Sequence, residues 1–257
     1  MAATRKEKLD QVIGAIQKRW GSGAISRSSE QLARDTPRIA TSFPSLDDAT
    51  GAGGIPRGRI IELLGRPTSG MTTVALRIVA QAQADEGAAV YIDLERNFDP
   101  VYALRRGVLL EQLILVHPFD AGQALDMLPD FVRNGGFNLL VCDMPVRVQD
   151  KESTGRKLAS TLGRLLAPLS KSNSTLLFLT TLAGQAGDGT PFYPQQATLP
   201  HFATLRLLFQ RERWLYRQRD VHGFETRVIV IKNKLSTPGQ EARIAIYFDE
   251  TGPEDRL

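Results

Sequence analysis

The segment RIIELLGRPTSGMTT, residues 59–73, is the most informative part of this chain about its fold. Its apolar beginning, residues 59–64, predicts a buried β-strand, and the helical spacing of apolar residues from Met71 onward predicts an α-helix. Residues 65–72 match the phosphate-binding pattern GxxxxGK[ST] at every fixed position except one, because Met71 stands where the pattern has lysine. In that pattern, the backbone amides of the loop and of the first helical turn bind phosphate groups.

Methionine at position 71 is expected to impair nucleotide hydrolysis more than nucleotide binding. The pattern's lysine makes a charge-assisted hydrogen bond worth about 1.5 to 3 kcal/mol, so its loss would weaken nucleotide binding without abolishing it. Loss of one donor to the transition state costs about a hundredfold to a thousandfold in rate. Taken alone, the segment is equally well explained as a tight strand-to-helix turn. The candidate nucleotide-binding residues of the segment are Gly65, Thr68, Ser69, Gly70, Met71, Thr72 and Thr73.

Short β-rich segments alternate with helical ones along the chain, which predicts an α/β fold with a mostly parallel sheet flanked by helices on both faces. Strands are expected at 59–64, 89–93, 113–116, 138–143 and 175–181, and helices at 71–86, 100–106, 121–134 and 153–169. Consecutive strands without intervening helices pair antiparallel and extend a sheet at its edge. They are expected at 203–210, 213–217, 225–231 and 242–248.

Composition places the chain among globular proteins. Its 257 residues fit one large domain or one domain with a short appendage. Hydrophobic residues at 42% and charged residues at 23% exclude disordered, collagenous and coiled-coil chains. The 32 basic and 28 acidic residues give 32 − 28 = +4, which permits a nucleic-acid partner without requiring one. The single cysteine, Cys142, excludes an internal disulfide, and the lack of a signal peptide or long apolar run predicts a cytoplasmic protein without membrane contact.

An amphipathic helix is predicted at residues 6–20, followed by a polar linker that reaches residue 41. We therefore expect an N-terminal helix and linker at 1–40 and a core domain at 41–257. The helix either packs on its own core or docks on a neighbouring molecule, because the pattern does not say whose surface its apolar face meets. The acidic end of the chain, 249–257, is expected to fray.

Two acids follow predicted strands. Asp143 ends the apolar strand LLVCD in the manner of a Walker B segment, where the acid helps a hydroxyl such as that of Thr72 to hold Mg²⁺. Glu95 lies just beyond another strand, at the edge where ligands bind in open α/β sheets, and could orient an attacking water. Each acid taken alone is better explained as an ordinary strand end or a solvated loop carboxylate. Together with the loop at 65–72, they favour a nucleotide site.

With these segments in this order, the chain resembles the bacterial RecA recombinase family from the N-terminal helix to nearly the last residue. The resemblance implies a RecA-like P-loop core with antiparallel strands at its C-terminal edge, an N-terminal helix that docks on the next subunit, and no RecA-type C-terminal domain. The blocks that carry it are KRWGSGAI at 18–25, SLDDATGAGGIPRGRIIELLGRPTSGMTT at 45–73, YIDLERNFDPVYA at 91–103, SNSTLLFL at 172–179 and FETRVIVIKNK at 224–234.

The resemblance also implies cofactors and residue roles. The cofactors would be ATP and Mg²⁺, with weak or absent hydrolysis because Met71 replaces the family's lysine. Thr181 stands where the family has a glutamine that couples the γ-phosphate to the DNA-binding loop. The implied roles are adenine contact for Asp99 and Tyr102, activation of water for Glu95, magnesium binding for Thr72 and Asp143, and contact across a filament interface to a neighbour's triphosphate for Lys232 and Lys234.

Two loop regions are candidates for contact with single-stranded DNA. The second, at 184–202, contains Phe192 and Tyr193, which could stack on bases or anchor a protein partner. A further arginine and aromatic cluster on the late strands, 206–219, is first explained as ordinary half-buried strands and second as a basic surface. The first loop region carries cations suited to phosphates, or to a solvated basic face: Arg147, Lys151, Arg156 and Lys157.

Three functions are consistent with the sequence. The leading hypothesis is a RecA-like protein with a degenerate ATPase site that regulates recombination and repair in the SOS response, similar to ImuA-type accessory proteins of translesion synthesis. Its partners would be a RecA filament, a translesion polymerase or inactive polymerase relative, and single-stranded DNA at the nucleoid. The alternatives are an active DNA-dependent ATPase recombinase, with charge supplied in trans by Lys232 and Lys234 or by Arg66 within the loop, and a nucleotide-independent single-stranded DNA binder.

Overall fold

The computed structural model describes residues 5–21, 25, 37–51, 53–84, 87–144, 152–182 and 198–248. The chain divides into two compact units, Met1–Thr36 and Pro37–Leu257. The first unit contains helix α1 (Arg5–Trp20), which confirms the helix predicted at 6–20. Gly21 follows the last turn with a φ of 93°, and its amide donates to the carbonyl of Gln17.

The second unit alternates helices and strands, as the sequence predicts. No helix within the described ranges is long and apolar enough to cross a bilayer. The helices are α2 (Pro44–Ala49), α3 (Met71–Ala84), α4 (Pro100–Arg105), α5 (Ala121–Asn134), α6 (Glu152–Lys171) and α7 (Leu199–Phe202). The strands are β1 (Arg38–Ile39), β2 (Ile55–Pro56), β3 (Ile60–Gly65), β4 (Ala88–Asp93), β5 (Leu113–Val116), β6 (Phe137–Asp143), β7 (Thr175–Thr181), β8 (Leu205–Arg217), β9 (Asp220–Asn233) and β10 (Glu241–Tyr247).

Eight strands form one sheet in the order β10-β9-β8-β3-β7-β6-β4-β5, and β1 and β2 form a separate antiparallel pair. Across the sheet, the six neighbouring strands β8-β3-β7-β6-β4-β5 are parallel. At the other edge, β9 pairs antiparallel with both β8 and β10. The α/β fold class is therefore confirmed, including the antiparallel strands at one edge. β3 lies between two parallel neighbours, so its carboxyl end opens at the middle of the sheet.

The sheet is covered by apolar contacts on both faces. Successive side chains of a strand point to opposite faces, so Ile61 and Ile60 of β3 enter different clusters. Ile61 packs in the cluster that contains Val74 of α3, and Ile60 in the cluster that contains Leu125 of α5. The two apolar clusters thus fix the position of β3, and therefore also the position at which α3 begins.

The predicted strands at 203–210 and 213–217 form a single strand, β8. Arg211 is opposite Thr226 and Arg213 is opposite Glu225, so Glu212 is an extra residue in the ladder. Such a bulge bends a strand and re-aims its side chains without ending it, which is why the expected break is absent. β9 is correspondingly longer than the predicted 225–231.

Candidate functional site

The loop at residues 66–70 joins β3 to α3 at the carboxyl edge of the parallel strands. Gly65, at the end of β3, is opposite Thr181 of β7 and Phe209 of β8. This is the edge where ligands bind in open α/β sheets. The structure therefore places the sequence-predicted loop at the position that a nucleotide site requires.

The loop has a defined backbone rather than that of a generic connection. Gly70 has a φ of 92°, and a Cβ there would lie 2.4 Å from Cδ1 of Ile246. Thr68 also adopts a left-handed conformation, with a φ of 62°. The amide of Val74 donates to the carbonyl of Gly70 at 3.1 Å, which begins the helical hydrogen bonding of α3.

The Ser69 side chain has unmet hydrogen-bonding capacity. The residue is only 3% exposed, and its Oγ has no partner among the described residues. Its carbonyl, by contrast, accepts from Oγ1 of Thr226 at 2.8 Å. Buried polar groups are rarely left unpaired. Because Ser69 lines a cleft beside the loop, a phosphate bound in that cleft would lie next to a hydroxyl that has no partner among the described residues, so the residues present fit a phosphorylated ligand.

The cleft has a volume of about 360 Å³, within the range of roughly 300 to 1,000 Å³ that is usual for ligand pockets. Its floor is the loop and the start of α3, and Thr181 also contributes to its wall. The remaining wall is largely aromatic and consists of Tyr102, Trp214, Phe224 and Phe248, together with Arg211.

The aromatic side chains are held by one another and by polar contacts. The Phe224 ring lies 6.0 Å from the Trp214 ring and 6.1 Å from the Phe248 ring, measured between centroids. The Tyr102 hydroxyl and Oγ1 of Thr73 share a hydrogen bond of 2.6 Å. The Arg106 guanidinium lies 4.7 Å from the centroid of the Tyr102 ring. The wall is therefore ordered and offers flat apolar faces next to the loop.

Asp99 positions Tyr102 in this wall. Its Oδ1 accepts from the amides of Val101 and Tyr102, at 2.8 and 3.0 Å, and thereby caps α4. A residue assigned to adenine contact by resemblance thus has a clear local role in the structure.

Met71 does not present its side chain as a lysine would. It is 5% exposed and packs in the apolar cluster of α3 and β3, although it also borders the cleft. The motif position therefore contributes a buried thioether and no charge to the loop.

Acidic side chains meet at the ends of β4 and β6, where Asp93 and Asp143 are opposite each other. Asp93 is tied to the amides of Asn97 and Phe98, at 3.1 and 2.8 Å. Burial raises the pKa of Asp143 to about 6; the hydrogen bond from Tyr91 lowers that pKa, whereas Asp93 and Glu95 raise it. A cation near Asp143 would favour its charged form and lower this pKa.

No group of three or more histidine, cysteine or acidic residues within the described ranges could hold a metal ion by itself. A magnesium ion at Thr72 and Asp143 would therefore need phosphate oxygens among its ligands. Glu95 lies exposed beyond β4, and its Oε2 accepts from Nδ2 of Asn97 at 3.4 Å.

Lys232 and Lys234 contact the short helix α7 of the same chain. Nζ of Lys232 donates to the carbonyls of Pro200 and His201, and Nζ of Lys234 donates to the carbonyl of His201 at 3.4 Å. Burial lowers the pKa of Lys232, and the nearby Lys234 adds to this effect. In this arrangement, both ammonium groups hold the C-terminal end of the second loop region.

Most of the predicted DNA contacts lie outside the described residues, namely Arg147, Lys151, Phe192 and Tyr193. Arg156 is exposed on α6. Lys157, one residue further, forms an ion pair of 2.6 Å with Asp126 of α5, so part of its charge is already neutralised.

Sequence reasoning did not assign Arg211, Trp214, Phe224 or Phe248 to the site. These residues come from β8, from β9 and from the position just after β10, about 140 to 180 positions beyond the loop. The parallel pairing of β8 with β3 brings them together, and no local pattern reports that pairing. The one usable signal is the hairpin of β8 and β9, which sets Trp214 opposite Phe224.

Comparison with known proteins adds family evidence. Residues 7–252 match the family model described as the RecA N-terminal domain. The chain is 35% identical over 268 residues to Protein RecA of Clostridium perfringens strain 13, covering 97% of this chain and 76% of that relative. It is 34% identical over 261 residues to Protein RecA of Listeria welshimeri, covering 96% of this chain and 75% of the relative. Protein RecA of Halalkalibacterium halodurans is 32% identical over 261 residues, with the same shares covered.

Proposed function

This chain belongs to the RecA family, and we propose that it acts in DNA recombination and repair as an accessory protein or regulator with a degenerate ATPase site. The observation that supports the proposal is the buried Met71 in a loop whose backbone and Ser69 hydroxyl still suit a phosphate. A protein of this kind keeps the fold of the family while losing the charge that hydrolysis needs.

The proposed partners are a RecA or RecA-like filament and single-stranded DNA, in the SOS response. Helix α1 would dock on the filament through Leu9 and Val12, whose side chains are 52% and 54% exposed. A translesion polymerase, or an inactive relative of one, would be recruited by the same complex.

The nucleotide site would hold ATP with Mg²⁺. The loop amides and the Ser69 hydroxyl would bind phosphate oxygens, and Thr72 and Asp143 would hold the metal ion. Tyr102 and Phe248 would offer aromatic faces to the base. When bound, the nucleotide supplies a transferable phosphoryl group and negative charge. In this chain, Glu95 remains available to orient a water, but Met71 offers no charge, so binding would outlast turnover.

The alternative of an active recombinase is less well supported. With charge supplied in trans, it requires Lys232 and Lys234 to reach the triphosphate of a neighbouring subunit. Both ammonium groups would first have to give up their hydrogen bonds to the carbonyls of α7.

The accessory role is tested by titrating the protein into RecA-catalysed strand exchange and RecA ATPase assays. We expect a change in at least one rate at stoichiometric ratios, and loss of that change when Leu9 and Val12 are both replaced by glutamate. Gln11→Glu, an exposed polar position on the same helix, is the matched control and should behave as the natural chain. Unaltered RecA rates, together with no capture of RecA, would contradict the proposal.

The degenerate site is tested by ATP binding and turnover. We expect measurable binding with turnover at background level, and a gain of turnover in Met71→Lys. Turnover by the natural chain that single-stranded DNA stimulates and Glu95→Ala abolishes would show the active recombinase instead.

A further inference from the structure

We propose that Arg211 takes over, from within the same chain, the phosphate contact of the lysine that Met71 replaces, by binding the β- and γ-phosphates of a nucleoside triphosphate in the cleft that Arg66 also lines. This inference rests on the proposed nucleotide binding and is independent of the accessory role in recombination.

The sheet topology delivers Arg211 to the loop. Phe209 of β8 is opposite Gly65, the last residue of β3, so Arg211 lies two residues beyond the carboxyl end of β3. Its Nη1 donates to Oγ1 of Thr68, in the middle of the loop, at 3.0 Å. The bulge at Glu212 breaks the strand alternation immediately after this position. The guanidinium is therefore held over the loop by the fold itself.

The guanidinium is oriented by an aromatic face. Its central carbon lies 4.2 Å from the centroid of the Trp214 ring, in the same cleft wall. Cation–π contact stabilises a guanidinium without consuming its hydrogen-bond donors. Arg211 uses Nη1 on Thr68, and an arginine has five N–H donors in a planar fork that matches a phosphate.

The charge of Arg211 is not neutralised by a carboxylate within the described residues, in contrast to its neighbours. Arg213 pairs with Glu225 at 2.9 Å. Arg227 and Arg243 both pair with Glu212, at 3.2 and 3.1 Å. Arg211 contacts a neutral hydroxyl and an indole ring, so an anionic ligand would be its first partner of opposite charge.

Three kinds of donor then border the same cleft. The Ser69 hydroxyl is buried without a partner among the described residues, the first turn of the 14-residue helix α3 presents its amides, and Arg211 lies above Thr68. A phosphate is the ligand class that satisfies all three. Met71 cannot take this role because it is packed in the core.

The test measures affinity for adenosine, ADP and ATP by isothermal titration calorimetry in the natural chain and in Arg211→Ala. We expect Arg211→Ala to weaken ATP binding by about tenfold to a hundredfold and to leave adenosine binding unchanged. Arg217→Ala, which removes an exposed cation further along the same strand, is the matched control and should bind as the natural chain. Arg211→Lys, which keeps the charge, should retain part of the ATP affinity, and Met71→Lys added to Arg211→Ala should restore it.

A spectroscopic readout separates phosphate binding from a structural role. The chain has two tryptophans, Trp20 and Trp214, so Trp20→Phe leaves Trp214 as the single reporter. We expect ATP to change the Trp214 emission more than adenosine does, because phosphate draws the guanidinium from the ring. The excess over adenosine should vanish in Arg211→Ala.

Three results would overturn the inference. ATP binding that is equal in Arg211→Ala and the natural chain would leave nucleotide binding intact and remove the role of Arg211. If Arg211→Ala lost single-stranded DNA binding but bound ATP as the natural chain does, Arg211 would be a DNA contact instead. No ATP binding by a natural chain that still alters RecA strand exchange would refute the inference while the accessory role stands.

Discussion

The phenol of Tyr91 donates a 2.8 Å hydrogen bond to Oδ2 of Asp143, across the neighbouring strands β4 and β6. Tyr91 is 1% exposed, and its burial, followed by the charge of Asp143, raises its pKa well above the ordinary value. The phenol therefore stays protonated through neutral pH and keeps donating. Oδ2 of Asp143, the acid proposed to bind magnesium, thus already accepts a hydrogen bond from Tyr91.

Replacing Tyr91 by phenylalanine should raise the pKa of Asp143 above about 6. The hydrogen bond from Tyr91 favours the charged carboxylate, while burial and the nearby Asp93 and Glu95 disfavour it. Without the hydrogen bond, burial and the two nearby acids raise the pKa of Asp143 unopposed. The carboxyl ¹³C shift of Asp143, followed against pH by NMR, measures the change. An unchanged or lower pKa would show that the hydrogen bond contributes nothing to this charge.

The contribution of Asp143 to the free energy of unfolding should fall as the pH rises from about 4 to about 6. The folded-state pKa of about 6 lies above the reference value of 3.8, so the folded chain binds more protons than the unfolded chain in this window. The stabilising contribution of the protonated acid is present below the unfolded pKa and is lost as the pH passes the folded pKa. Urea unfolding at pH 4, 5, 6 and 7 measures the slope. Asp143→Asn, which is neutral throughout, should flatten it, and an equal slope in both chains would assign the effect to other groups.

The alternating pattern of the sequence was sufficient for the parallel half of the sheet. The strand at 175–181 and the helix at 121–134 have the predicted bounds, because apolar runs and caps such as Asp120 are local signals. Helix α2 was not predicted, since its six residues are too few to show a period. Asp47 fixes it by accepting from the backbone and hydroxyl of Thr41, at 2.9 and 2.7 Å.

The loop of the candidate site could be predicted because its signal is also local, but the cleft wall could not. The loop and its missing lysine are contiguous in sequence, so Ser69 and Met71 could be named in advance. The cleft wall could not, because Arg211 and Phe248 reach it through strand order alone. Nor did composition indicate that Glu62, within the apolar run of β3, would meet Arg206 of β8.

The Glu62–Arg206 ion pair should be costly to break from one side. The pair has an N–O distance of 2.6 Å with the Glu62 side chain fully buried, and Oε1 of Glu62 also accepts from Thr180 at 2.9 Å. Arg206→Met would remove the guanidinium that compensates a buried carboxylate, so we expect a loss of about 3 to 5 kcal/mol in the free energy of unfolding at pH 7. Urea denaturation measures the loss.

An exposed ion pair provides the control. Nζ of Lys157 and Oδ2 of Asp126 lie 2.6 Å apart, with 36% and 67% of their side chains exposed, so Lys157→Met should cost much less. Glu62→Leu combined with Arg206→Met should recover much of the stability, because the buried charge is then gone. Equal losses for Arg206→Met and Lys157→Met would refute the importance of burial.

Met71→Lys should destabilise the nucleotide-free chain and make its stability depend on ATP. An ammonium group placed among the apolar residues packed around Met71 must be desolvated or must leave the cluster, which we expect to cost about 1 to 3 kcal/mol of unfolding free energy. Met71→Leu keeps an apolar side chain of similar volume and should cost less than about 1.5 kcal/mol. If the lysine can turn toward phosphate in the cleft, ATP at a hundredfold excess over Kd adds about 2.7 kcal/mol. Thermal unfolding with and without ATP should therefore show a larger ATP-dependent rise in Tm for Met71→Lys than for Met71→Leu at the same ATP concentration. An equal rise in both variants would mean that position 71 faces the core in every state and that the site cannot be repaired there.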